Sequence, residues 1–184
     1  MKKILTLVGF AASVATYAQG GPLVINNYSP YDFRGHVIAH NMTAPCYPRV
    51  ANNVPIVVPA DSHQTNGFQL EYKNFRDQFG TSLYPMPDWS VTTSPNGNFV
   101  WAWNDANLAP GSTVANTTRW GTAKYGMVYA GTTTNVPGFS VNTSIVNNAC
   151  YPYPDSFVTP NGLNSGDLFT ITSGGIVVTY LQIY

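Results

Sequence analysis

Apolar and polar residues alternate with a period of two through most of this chain, and that constrains its fold more than any other feature. In GFQLEY (67–72), Phe68, Leu70 and Tyr72 share one face while Gln69 and Glu71 take the other, the pattern of a half-buried strand. DFRGHVIAH (32–40) repeats it, with Phe33, Val37 and Ala39 opposite Arg34, His36, Ile38 and His40. Asn96-Gly97 tolerates the positive φ of a tight turn and joins WSVTTS to NFVWAW as a hairpin. Ser173-Gly174-Gly175 likewise joins Leu168–Thr172 to a closing strand, Ile176–Tyr184. Shorter candidates are 23–26, 55–58, 125–130, 139–145 and 156–159.

These segments amount to roughly nine or ten short strands, punctuated by 16 Gly and 14 Pro. The expected fold is all-β, a two-sheet antiparallel β-sandwich of Greek-key or jelly-roll type. Segments 74–88 and 106–121 lack clear alternation and are expected to be long loops, the first with one helical turn. A small outer-membrane barrel would need even strands of about ten residues, and the many prolines argue against it.

The N-terminus has a basic start at Lys2 and Lys3, an apolar run over 4–15, and small residues around Ala18. That is the pattern of a secretory signal peptide, residues 1–18, leaving residues 19–184 as one domain. The apolar run is short for a membrane span, and nothing after it approaches 18 consecutive apolar residues. A secreted or cell-surface location follows, with the periplasm also open. In such a compartment the two cysteines, Cys46 and Cys150, are expected to pair. The bridge would close a loop of roughly 100 residues, for which chain entropy predicts about 4.7 kcal/mol.

Each cysteine opens the same tripeptide, Cys46-Tyr47-Pro48 and Cys150-Tyr151-Pro152. Downstream, Val57, Pro59 and Phe68 align without a gap on Val158, Pro160 and Phe169. This echo suggests an internal pseudo-twofold repeat, although two copies fall short of a repeat array.

Charge excludes some functions. Without Lys2 and Lys3 the chain holds six basic residues against eight acidic ones. Arg34, Arg49, Lys73, Arg76, Arg119 and Lys124 are scattered along the sequence, whereas phosphate neutralisation needs clustered cations. Nucleic acid is therefore not an expected partner. Nucleophile elbows, phosphate-binding glycine loops and zinc-helix signatures are absent, and no cofactor is expected. His36 and His40 lie on one face of a strand but about 13 Å apart at ~3.3 Å per residue. That is too far for one metal ion, even with Asp61 and His63 as further ligands, and both histidines are expected to be exposed. Asp88 and Asp105 flank the Trp89–Trp103 hairpin, and a hydrolase using that pair is the enzymatic alternative. Strand-end aspartates more commonly cap turns.

NFVWAW poses the sharpest question, because both faces of this strand are apolar. Phe99, Trp101 and Trp103 are either core or, with Val100 and Ala102 inward, an aromatic platform edged by Asn104 and Asp105. Rings two residues apart are about 7 Å apart along a strand, a spacing that suits neighbouring sugar rings. Tyr28, Tyr31, Tyr47, Tyr151 and Tyr153 form a second aromatic set beside Pro and Cys. The expected function is a secreted, non-enzymatic β-domain binding a glycan or a peptide of an extracellular protein. A self-assembling structural or adhesive subunit, a homo-oligomer, is the other non-enzymatic possibility.

Overall fold

A computed structural model describes residues 21–76 and 79–184; the expected signal peptide lies outside the described residues. Twelve strands form two largely antiparallel sheets packed face to face, an all-β sandwich. They are β1 (Leu23–Asn27), β2 (Tyr31–His40), β3 (Arg49–Asn52), β4 (Ile56–Val58), β5 (Leu70–Tyr72), β6 (Asp88–Ser94), β7 (Gly97–Ala102), β8 (Arg119–Tyr129), β9 (Asn135–Ser144), β10 (Ser156–Val158), β11 (Ser165–Ser173) and β12 (Ile176–Ile183). One sheet has five strands in the order β10-β11-β12-β1-β5. The other runs β7-β6-β3-β2-β8-β9, with β4 also paired to β2. β4 takes Phe33–Gly35 and β3 takes Ile38–His40, so two short strands share one side of a long one. The first and last strands pair in parallel, Leu23 beside Thr179 through Asn27 beside Ile183.

Two elements differ from the pattern-based expectation. β3 (RVAN) is too short and too polar to announce itself. β8 begins at Arg119 within a stretch expected to be loop, which also contains a 3-10 turn, Ala106–Leu108, and a short helix α1, Thr113–Thr117. Ser112 caps α1 by accepting the Ala115 N–H at 3.1 Å.

The core centres on aromatic rings from both sheets and the 73–87 loop. Trp89, Trp120, Tyr72 and Phe75 are buried with centroids 5.3–6.2 Å apart. Trp89 Nε1 donates to Phe75 O at 2.8 Å and Tyr72 Oη donates to Tyr84 O at 2.6 Å, which pins that loop to the core. The alternation in β2 holds inside: Phe33, Val37 and Ala39 are buried. In 67–72 only Leu70 and Tyr72 are buried, and Phe68, which precedes β5, is 57% exposed.

Cys46 and Cys150 form the disulfide, with Cα atoms 5.7 Å apart across a sequence separation of 104. Topology explains the pairing. β2 and β9 both run antiparallel to β8, so they run parallel to each other and end at the same end of the sheet. Each cysteine follows one of these strands. The Cys-Tyr-Pro echo does not extend to strand pairing: β4 pairs β2 in one sheet, whereas β10 pairs β11 in the other.

Candidate functional site

β7 is an edge strand, not a central one, and that resolves its two apolar faces. Trp101 lies opposite Trp89 and Phe99 opposite Val91. Because Trp89 and Val91 point into the core, Phe99 and Trp101 occupy the core-side face. Trp101 packs partly against the core, while Phe99 remains 48% exposed with its ring stacked on Trp101, centroids 5.8 Å apart. The arrangement with Val100 and Ala102 in the core is overturned: Val100 is 61% exposed and Ala102 is exposed.

Trp103 does not extend this ledge as a free third ring. It stacks on Phe79 with centroids 4.8 Å apart, and its N–H donates to Pro87 O. Asn104 is exposed. Asp105 caps the following 3-10 turn, its Oδ1 accepting from Asn107 N at 2.8 Å and Nδ2 at 3.0 Å. Asp88 sits at the same end of the hairpin, paired with Ala102.

The four sheet edges are unequal. β5 and β10 are three residues each, and β9 carries Pro137, left-handed Gly138 (φ 73°) and a register shift. These are common ways of blunting a strand edge. β7 shares only the register shift, against β6 between Thr92 and Ser94; its six residues, GNFVWA, carry neither charge nor proline.

The outer face of the larger sheet holds a second assembly, in which part of the second aromatic set meets cations that lie far apart in the sequence. The tyrosine set divides. Tyr28 stacks between His63 and Tyr184, and Tyr31 packs on Tyr129 and Phe139. Tyr47, Tyr151 and Tyr153 gather with cations. Arg49 lies over the Tyr47 ring at 5.9 Å and donates to Tyr151 Oη at 3.2 Å. Lys124 Nζ lies 5.6 Å from the Tyr151 centroid and 5.4 Å from that of Tyr153.

Beneath the disulfide, residues that alternation assigns to solvent are buried instead. His40, Ile38, Thr122 and Ser144 point away from the core but lie under the Cys-tethered segments. His40 is thus not the exposed histidine expected. Its Nδ1–H donates to Asn41 O at 2.9 Å, and its Nε2 accepts from Asn148 Nδ2 at 3.0 Å. Asn148 Nδ2 also contacts Ser144 Oγ at 2.6 Å, and its Oδ1 accepts the N–H groups of Cys150 and Tyr151. Burial lowers the His40 pKa below its ordinary value; the Asn41 hydrogen bond opposes that and the Arg49 charge adds to it. The cluster resembles hydrolase chemistry in composition, yet its hydroxyls are sealed from solvent, so it serves as a latch rather than a nucleophile site. Among the described residues no group of three His, Cys, Asp or Glu side chains could hold a metal ion.

No protein-family model, curated protein or solved structure matches this chain.

Proposed function

We propose that this chain is an exported, non-enzymatic β-sandwich that binds carbohydrate along the β7 edge, on the ledge of Phe99 and Trp101. One observation carries the reading. Phe99 stands on the core-side face opposite a buried valine, yet its ring is half in water against Trp101. An aromatic left partly exposed at a sheet edge offers an apolar surface to a ligand, and the CH-rich face of a pyranose is one that fits. Asn98, also exposed, and Asn104 supply neighbouring amides.

Affinity electrophoresis through a panel of soluble neutral polysaccharides tests this. At least one is expected to retard the protein, and Phe99→Ala should abolish the retardation with little change in melting temperature. Retardation that persists unchanged in Phe99→Ala excludes the ledge.

The uncharged, proline-free β7 edge favours a second reading, self-assembly strand to strand. Val100 faces the side opposite Phe99, so Val100→Lys separates the two. Light scattering should show an oligomer dissolved by Val100→Lys if the edge pairs with a copy. A monomer at every concentration tested, with sugar retardation intact, leaves the carbohydrate reading alone.

A further inference from the structure

The outer face of the seven-stranded sheet presents cations that the sequence scatters but the register collects. His36 lies directly opposite Lys124, and Lys124 opposite Asn142. In the next outward row Arg34 lies opposite Gly126, and Gly126 opposite Ser140. Rows of one face are about 7 Å apart along a strand, and directly opposed side chains are about 5 Å apart. Arg34, His36 and Lys124 therefore share one small area. The surface there is concave, a groove of about 380 Å³ lined by these three with Asn135, Ser140 and Asn142. That volume falls in the ~300–1,000 Å³ range usual for small-ligand sites.

Two details suggest a receptor rather than a neutral accident of packing. First, Arg34 and Lys124 have no acidic partner among the described residues. Among the described residues the only ion pair of a lysine or arginine is Lys73 with Glu71, at 3.9 Å. Asp32 is the nearest acid along β2, and both its oxygens accept backbone N–H groups, from Ala60 at 2.9 Å and Gly131 at 2.8 Å. His36 Nδ1 is engaged with Asn52 O at 2.9 Å, which leaves Nε2 without a protein partner. Second, the floor is kept open. A Cβ built on Gly126 would meet nothing nearer than Phe139 O at 3.7 Å, so a side chain would fit there and the sequence supplies none. Lys124 lines the groove, with its Nζ over the rings of Tyr151 and Tyr153 beside it rather than in an ion pair.

We propose that this groove binds the carboxylate or sulfate of an acidic polysaccharide. Arg34 and Lys124 take the anionic group, and Ser140, Asn142 and Asn135 bond the neighbouring hydroxyls. Arginine suits a planar or tetrahedral oxyanion through paired N–H donors, and the amide and hydroxyl rim suits a ligand rich in OH groups. The amide and hydroxyl rim favours a saccharide over nucleic acid. The inference does not depend on the Phe99 ledge, which belongs to β7 at the edge of the same sheet.

Titration calorimetry with polygalacturonate and with dextran sulfate, using neutral dextran as control, tests it. At least one acidic polymer should bind, more weakly as salt is added, while dextran does not bind at this face. Binding of one but not the other assigns carboxylate or sulfate. The double variant Arg34→Gln, Lys124→Gln should weaken binding tenfold or more, and Lys73→Gln should leave it unchanged. Gly126→Val fills the groove without altering charge and should also abolish binding. All variants are compared after confirming an intact disulfide and a cooperative melt. Several outcomes overturn the proposal: neither acidic polymer binds, Gly126→Val binds like the parent, Lys73→Gln loses as much as the double variant, or a single-stranded oligonucleotide binds more tightly than either polymer. Loss of acidic binding in Phe99→Ala would merge the two sites and overturn it equally.

Discussion

Replacing Asn148 with alanine should unlatch the Cys150 segment from the sheet. Six contacts depend on that side chain: its Nδ2 reaches His40 Nε2, Ser144 Oγ, Thr122 Oγ1 and Gly121 O, and its Oδ1 accepts from the N–H groups of Cys150 and Tyr151. His40 and Ser144 are buried, so water does not readily replace the lost donor. Cys150 and Tyr151 are only half-buried, and their N–H groups can reach solvent. Each keeps another partner, Ser144 Oγ the Gly121 carbonyl at 2.9 Å and His40 Nε2 the Thr122 hydroxyl at 3.4 Å, so the loss is that of two buried hydrogen bonds at ~1 kcal/mol each, about 2 kcal/mol. Urea denaturation of the oxidised protein at pH 8 measures it, and a loss below about 0.5 kcal/mol would refute the latch. The same cluster sets a pH dependence. Burial depresses the folded-state pKa of His40 below its unfolded value of 6.5, so the unfolded chain takes up the proton first as pH falls. The neutral imidazole's contribution is complete above pH 6.5 and is lost below it, with a limiting slope of about 1.4 kcal/mol per pH unit. Asn148→Asp would place a carboxylate at Nε2 and favour the imidazolium. Its contribution should then be present below the unfolded pKa and decline as pH rises through the raised folded value. Parent stability that does not change between pH 8 and 5.5 contradicts this assignment.

Two further outcomes follow from the backbone and the bridge. Cys46→Ser with Cys150→Ser removes a crosslink spanning 104 residues and should cost about 4–5 kcal/mol by chain entropy; hydrogen exchange should quicken first at His40 and Thr122, beneath the tethered segments. Gly35→Ala would bring a Cβ to 2.3 Å from Tyr125 Cβ and 2.5 Å from Lys124 O, backbone and stem atoms that cannot swing aside, at about 3 kcal/mol. Gly126→Ala, with its nearest neighbour at 3.7 Å, should be tolerated, and equal melting temperatures for the two variants would discredit the close-approach argument.

Much of the sandwich was readable because side chains on a strand point alternately to two sides. The inward set Phe33, Val37 and Ala39 follows from that rule, and the Gly174-Gly175 turn formed as its dipeptide predicts. β6 and β7 also form the expected hairpin, but it turns at Pro95-Asn96, with Gly97 already in β7 and no positive φ at Asn96 or Gly97. Alternation failed where tertiary structure adds a third layer. Ile38 and His40 obey the outward phase of β2 yet are buried, His40 beneath Asn148, 108 residues further along the chain. It failed again at β7, where the phase of Phe99 and Trp101 was ambiguous because both faces are apolar. There the deciding fact was pairing: β7 ends its sheet, and its register sets Phe99 opposite Val91 and Trp101 opposite Trp89.

Period-two patterning, turn dipeptides and a pair of cysteines were enough to specify an all-β chain with one crosslink, since these are local or obligatory features. Which cations meet was decided only by register. Arg34 and Lys124 are 90 positions apart in the chain and become neighbours because β2 and β8 pair antiparallel with His36 opposite Lys124. Strand pairing joins residues at any separation along the chain, and so composition alone carries no trace of the groove they line.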